Sequence, residues 1–374
     1  MKKKLTLLLT LLLTAALLVG CTGTPVIYHS GDCDCPEAGN TLSPTPSTPS
    51  EPADNQPAAD QPAADQPAVE GAVKTGLAIV ASTEGSADAS AEADGTAKFD
   101  VTLVAVTVDD NGVIQDCIID NMNPSLSFNA KGEIAAPAEV LTKAELGDDY
   151  GMKKASSIGK EWYEQAEALA AYACGKTVEE LKNGAISETV APADADLASS
   201  ATMYLGGFVS AIEKAVANAT HLGAQTGDTL RLASVNSLSS SASATAEGNG
   251  TAQLNCDVTA LTEKDGVITS CALDSLQAKV LFDAAGKLLP EQSTAPLTKN
   301  ELGEDYGMKA YAGSAYEWNE QAAAFAAYVT GKTLDEVKGI AVTESTAPAE
   351  ADLASTVTIS IAGFQGLIEK AMQK

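Results

Sequence analysis

The sequence predicts an α+β fold made twice: two tandem similar domains, each an antiparallel sheet packed with helices. Three observations carry this. Long blocks recur at an offset of 156 positions: "ELGDDYGMK" from Glu145 returns as "ELGEDYGMK" from Glu301, "EWYEQAEALAAYACGKTVEELK" from Glu161 as "EWNEQAAAFAAYVTGKTLDEVK" from Glu317, and "GFVSAIEKAV" from Gly207 as "GFQGLIEKAM" from Gly363. Within each copy the hydrophobic period is two at first and between three and four later. Strand signals come before helix signals, with no regular strand–helix–strand alternation of the kind a parallel sheet requires. Fixed self-similarity of this length marks an internal duplication, and each copy of about 145 residues is long enough to bury a core of its own.

The elements follow in order. "KFDVTLVAVTV" (Lys98 to Val108) alternates through Phe99, Val101 and Leu103, and less cleanly through Val104 and Val106. Asp110-Asn111-Gly112 then signals a turn into a second strand, "VIQDCIID", and the second copy repeats the turn at Asp265-Gly266. A short hairpin is expected at "LSFNAKGEI", where Lys131-Gly132 supplies the turn. From Ile158 to Cys174 the residues Trp162, Gln165, Ala166, Leu169, Tyr172 and Ala173 mark one face of a helix stopped by Gly175. Thr177 with Glu180 three residues on forms a capping box for a helix through Lys182, and a last helix runs from about Phe208 to Asn218. "THLGAQTG" (220–227) reads as the linker, so the domains are 75–219 and 228–374, and each is expected to fold independently.

Ahead of them lies a leader. Lys2, Lys3 and Lys4 precede an uncharged apolar run from Leu5 to Val19, too short at 1.5 Å per residue to span a bilayer, which makes residues 1–20 a signal peptide. Leu18-Val19-Gly20-Cys21 resembles the lipobox of bacterial lipoproteins, and the resemblance implies cleavage before Cys21 and lipid on its thiol. Acyl chains gain about 0.8 kcal/mol per buried methylene, so several of them hold a protein stably to a membrane. The expected location is the extracytoplasmic face of the cell membrane, lipid-anchored. Residues 21–74 then form a disordered tether rich in Pro and Ala, including "NQPAADQPAADQPAVE", with almost nothing bulky and apolar to bury. Its stretch from Pro36 to Glu70 can reach on the order of 100 Å at ~3.1 Å per residue.

Composition removes several chemistries. The two histidines, His29 and His221, lie in the tether and the linker, so neither copy holds a histidine triad or zinc site. The one arginine, Arg231, leaves no repeated guanidinium fork. A net charge of −27 disfavours nucleic acid as a partner. Of seven cysteines, Cys21 is the anchor, Cys33 and Cys35 lie just beyond it, and Cys117 and Cys271 match between copies as small apolar core residues. Cys174 and Cys256 are unmatched, so no disulfide framework is expected. Asp194, Asp196, Glu350 and Asp352 match no calcium-loop spacing, and no metal is expected. Neither copy offers a nucleophile with a partnered base, so a binding or electron-transfer protein is expected rather than a hydrolase or transferase.

The candidate site is the hydroxyl block before each final helix. "DLASSATMYLGGF" (Asp196 to Phe208) and "DLASTVTISIAGF" (Asp352 to Phe364) share their first four residues and their closing Gly-Phe. Asp196, Ser199 and Thr202, with Asp352, Ser355 and Thr358, form the two sets, and Tyr150 and Tyr306 in the "Tyr-Gly-Met-Lys" loops stand ready to contact a ligand. The block resembles the C-terminal signature of the FMN-binding domain family: Asp, two variable residues, Ser or Thr, Gly, Ala, Thr, then a hydroxyl two places on. That resemblance implies flavin mononucleotide (FMN) joined through its phosphate to Thr202 and Thr358 by a flavin transferase, and electrons passed to redox partners outside the membrane. The family's glycine is Ser200 in one copy and Thr356 in the other, its alanine is Val357 in the second, and its trailing hydroxyl is Tyr204 in the first. A diverged, flavin-free binding or structural surface lipoprotein is the alternative. "TVTISI" also alternates as a strand does, so a strand is expected to lead straight into the final helix, with a pocket at that junction bounded by the Tyr150 or Tyr306 loop.

Overall fold

A computed structural model describes residues 71–187, 191–290 and 294–373 of the chain. The leader, Cys21, Cys33, Cys35, His29 and the tether through residue 70 lie outside the described residues. The first copy contains strands β1 (Lys74–Ser82), β2 (Gly95–Lys98), β3 (Asp100–Val108), β4 (Ile114–Met122) and β5 (Ser125–Phe128). Its helices are α1 (Lys143–Leu146), α2 (Trp162–Ala173), α3 (Val178–Ala185), α4 (Ala195–Ala198) and α5 (Gly206–Ala217). The second contains β6 (Thr229–Ser237), β7 (Gly250–Lys264) and β8 (Val267–Phe282), then α6 (Lys299–Leu302), α7 (Met308–Ala312), α8 (Trp318–Val329), α9 (Leu334–Lys338), α10 (Ala351–Ala354) and α11 (Ala362–Met372). All strand pairs are antiparallel, in the orders β1-β3-β4, β2-β5 and β6-β7-β8. The fold is α+β.

Local signals explain most boundaries. Asp265 and Gly266 both take positive φ, 53° and 80°, as a tight hairpin turn between β7 and β8 requires. Thr177 and Glu180 close their capping box on α3, which runs three residues beyond the expected end at Lys182. The first copy's long hairpin is broken at Asn123-Pro124, whose carbonyl accepts from the Phe99 amide. Pro124 has no N–H to continue a ladder, and Ala278 occupies the corresponding place in the unbroken β8.

Each three-stranded sheet is buried on both faces. Ala78, Val104, Val106 and Val108 point toward α2 and α5 in one helix-covered core, and Ala233, Leu261, Cys271 and Leu273 toward α8 and α11 in another. The opposite faces meet: Leu77, Ile79, Val101, Leu103 and Met122 pack with Leu230, Leu232, Val258, Ala260 and Leu276 in one shared core. The order of layers is helix, sheet, sheet, helix. Independently folding copies are the expectation from sequence, yet separation would uncover this middle layer.

The contacts across it are reciprocal. Phe128 and Phe282 stack with ring centroids 4.1 Å apart and planes 1° from parallel. The Ala89 amide donates to the Gly286 carbonyl and the Ala244 amide to the Gly132 carbonyl, both at 2.7 Å. Gly132 and Gly286 have positive φ and no room for a side chain, since an added Cβ would lie 2.6 Å from the Cβ of Ala244 or Ala89. Lys214 pairs with Glu301 at 2.7 Å, and Lys370 with Glu145 at 2.5 Å. Such exchange of equivalent partners is the mark of an approximate two-fold relation, here inside one chain.

Asp120 and Asp274 tie each sheet to its first helix. The Oδ1 of Asp120 accepts from the amides of Asn121 and Ala144, and that of Asp274 from Ser275 and Asn300. Burial pushes the Asp274 carboxyl up from its ordinary 3.8 to about 6, against the hydrogen bonds from Thr298, Ser275 and Asn300.

Two outcomes follow from this packing. Phe282→Ala should lower the unfolding free energy of the full chain by about 3–5 kcal/mol in denaturant titration, with Phe128→Ala non-additive beside it because each ring has already lost its partner. For Asp274, the folded state holds its proton more tightly than the unfolded chain does. Its contribution is therefore greatest below pH 3.8 and is lost as pH rises toward about 6. Measured at pH 4 and pH 7, the stability of Asp274→Asn relative to the parent should shift in the variant's favour by up to about 3 kcal/mol.

Candidate functional site

The hydroxyl blocks are not strands. Asp194 accepts from the amides of Asp196 and Leu197 and so nucleates the single helical turn α4, and α10 repeats that turn. Ser199 and Ser355 then donate back to the carbonyls of Asp196 and Asp352 at 2.7 Å, closing each turn locally. Beyond it the chain runs irregularly to α5 and α11. The expected strand fails for a physical reason: a buried glutamine takes the amides that a neighbouring strand would have paired. The Oε1 of Gln165 accepts from the Thr202 amide at 2.8 Å and its hydroxyl at 3.3 Å. The Oε1 of Gln321 accepts from the amides of Thr358 and Ile359 at 2.8 and 3.2 Å, and from the Thr358 hydroxyl at 3.1 Å.

The same glutamines reach the Tyr-Gly-Met-Lys loops. The Nε2 of Gln165 donates to the Lys160 carbonyl and Ser156 hydroxyl, and that of Gln321 to the Tyr316 carbonyl and Ser314 hydroxyl. One helical turn earlier, the buried carboxylates of Glu161 and Glu317 accept from the amides of Met152 and Lys153 and of Met308 and Lys309, at 2.8–3.0 Å. Gly151 and Gly307 stand in the left-handed region just before those amides, with φ of 77° and 85°. Two side chains of one helix thus bring the Tyr150 or Tyr306 loop and the Thr202 or Thr358 segment to one place. The "E-W-x-E-Q" recurrence is the signal in the sequence for this device, but its partners 37 residues away are set by tertiary structure.

The eight candidate residues fall into different environments. Thr202 and Thr358 are exposed, four residues before their final helices. Asp196 and Asp352 are exposed in the first turns of α4 and α10. Tyr150 is 37% exposed, and its phenol is raised by partial burial and by Asp100 and Glu161 nearby. Lys143 lies 5.1 and 5.2 Å from the ring centres of Tyr150 and Trp162, and Lys299 lies 5.0 and 4.8 Å from those of Tyr306 and Trp318. Burial lowers Lys143, with Asp100 and Asp120 opposing it.

In the second copy these parts surround a cavity of about 380 Å3, lined by Tyr306, Met308, Trp318, Ile359, Phe364 and Lys299 among others. Gly363, in the first turn of α11, also lines it. The first intrahelical bond of α11 comes from Gln365, so the earlier amides of the turn have no helical acceptor. In the first copy Tyr204 stands where the second has Ser360, and is 75% exposed. Trp162 and Trp318 are buried at 3% and 5%, and Trp318 is also a wall of this cavity. No known protein family matches this chain, and no curated protein or solved structure proves similar to it.

Gln321→Leu tests the coupling of loop and block. It strands the Thr358 and Ile359 amides and should cost about 1–3 kcal/mol in thermal or chemical unfolding. Protection of those two amides from hydrogen exchange should fall as well.

Proposed function

We propose that the protein is a lipid-anchored extracytoplasmic binding protein, made of a duplicated unit, whose second copy takes an aromatic ligand bearing a phosphate. FMN is the ligand that the sequence resemblance names. The observation that carries this reading is the cavity at the α8–α11 junction. Trp318, Tyr306 and Phe364 line it, aromatic side chains that suit a planar ligand, and its volume lies in the usual range for small-molecule sites. The free amides at the start of α11 and the Lys299 ammonium suit a phosphate. Bound there, a flavin would supply reversible electron transfer, and membrane-side redox partners and the anchor at Cys21 belong to the same proposal. The net charge of −27 keeps nucleic acid out of it.

Covalent attachment fits less well than non-covalent binding. The Thr358 hydroxyl donates to Gln321, a bond that an esterified oxygen could not make. Thr356, where the family has glycine, bonds back to the Leu353 carbonyl at 3.3 Å. These two contacts favour a second reading in which the cavity takes an aromatic ligand non-covalently, without a flavin transferase.

Titrating the full chain with FMN and with riboflavin, followed by flavin fluorescence, distinguishes the readings. FMN should bind saturably and more tightly than riboflavin, which lacks the phosphate, and Trp318→Ala and Lys299→Ala should each weaken FMN by about tenfold or more. Saturation by neither flavin would sink the flavin reading.

A further inference from the structure

A second cavity, larger than the one at the α8–α11 junction, belongs to neither hydroxyl block. It holds about 710 Å3 between the two copies, walled by β1 from the first, by β8, α6 and α8 from the second, and by the linker at Thr220, His221 and Leu222. Its apolar surface comes from Leu77, Ile79, Leu222, Ala323, Ala326 and Ala327. Ala323 and Ala327 are exposed, although they lie on the helix that carries Trp318 and Gln321 on its buried face.

The polar groups on this cavity are unbalanced. Lys214 is already paired with Glu301 at 2.7 Å and bonded to the Ile79 carbonyl at 2.8 Å. His221 is turned to Asp110 at 2.9 Å. Asp274 is 8% exposed and pairs with no cation among the described residues; its partners are two amides and the Thr298 hydroxyl. The amide oxygen of Asn319 is fully buried, with no hydrogen-bond partner. An unpartnered buried acceptor costs roughly 1–3 kcal/mol, which a donor arriving with a ligand would offset. The uncompensated features are a carboxyl without a cation and a buried acceptor without a donor, beside a largely apolar surface.

Pseudo-symmetry sharpens the point. In the first copy Tyr163 and Glu167 occupy the places of Asn319 and Ala323, so the equivalent location carries bulk and a further negative charge. The linker, too, passes over one of the two places, where Thr220 pairs with Thr75 at the edge of β1. Duplication alone would give two similar clefts. Small side chains on α8 and the crossing linker make one of them a walled cavity.

We infer that this cavity between the copies is a binding site for a small organic amine, its apolar body against Leu77, Ile79 and the alanines of α8, its N–H groups toward Asn319 and Asp274. The site is separate from the aromatic cavity at the α8–α11 junction, which shares no lining residue with it. Isothermal titration of the full chain with tryptamine and hexylamine, each beside its carboxylate counterpart (indole-3-propionate and hexanoate), tests this. At least one amine should bind saturably at one site per chain, about tenfold or more tighter than its matched carboxylate. Asp274→Asn should remove most of that preference. Ala323→Leu, at a position already exposed to the cavity, should weaken the amine by about tenfold or more with the melting temperature unchanged. Failure of both amines to saturate, equal binding of amines and carboxylates, or parental affinity in a folded Ala323→Leu variant would each overturn the inference.

Discussion

Everything else in this molecule depends on two sheets packing face to face through apolar side chains. A strand in a sheet with one wet face needs only every second residue to be apolar, whereas a strand here must be apolar on both sides. β3 meets that demand: Val101, Leu103 and Ala105 enter the shared core, and Val104, Val106 and Val108 enter the core under α2 and α5. The helices are then held at a fixed distance from the middle of the molecule. The loops that carry Tyr150 and Tyr306, and the segments that carry Thr202 and Thr358, are positioned from those helices.

The ion pairs between the copies serve a different purpose. Lys214–Glu301 and Lys370–Glu145 are partly exposed, and such pairs contribute about 0–1 kcal/mol each. Their reciprocity matters more than their energy. Sliding one sheet over the other would break both together, along with the matched amide bonds at Gly132 and Gly286, so they favour one orientation among several of similar apolar burial. The Phe128–Phe282 stack supplies the stronger attraction on the same axis.

Much of this was legible in the sequence, and the rest was hidden for identifiable reasons. The duplication, the α+β class, the turn at Asp265-Gly266, the capping box at Thr177 and the helix around Leu169 are local features, and local chemistry specified them. The imperfect alternation at Val104 and Val106 was itself a message: the strand is buried on both faces, and a partner sheet must exist. Reading the copies as separate bodies missed that message. At the hydroxyl blocks the period-two pattern of "TVTISI" pointed to a strand, yet Val357 and Ile361 are buried and Thr358 exposed on an irregular segment whose amides turn to Gln321. Nothing near Thr358 in the sequence reports a glutamine 37 positions earlier. The cavity between the copies was out of reach for the same reason, since its walls are drawn from residues as distant as Thr75 and Thr330.

The buried glutamine also determines what chemistry the Thr358 segment can support. A side-chain amide has one acceptor oxygen, and the Gln321 oxygen already serves two backbone amides and one hydroxyl. The backbone amides fix the path of the chain into α11; the hydroxyl belongs to the exposed side chain of Thr358. Converting that hydroxyl to an ester would therefore cost little in backbone order, because the two amides would still hold the segment in place. It would also remove a donor from an oxygen that is over-subscribed. The ester would still forfeit the bond from the Thr358 hydroxyl to Gln321, and two residues earlier Thr356 bonds back to the Leu353 carbonyl where the motif has glycine. The path of the segment beside the aromatic cavity thus rests on Gln321 and two backbone amides, not on the threonine side chain.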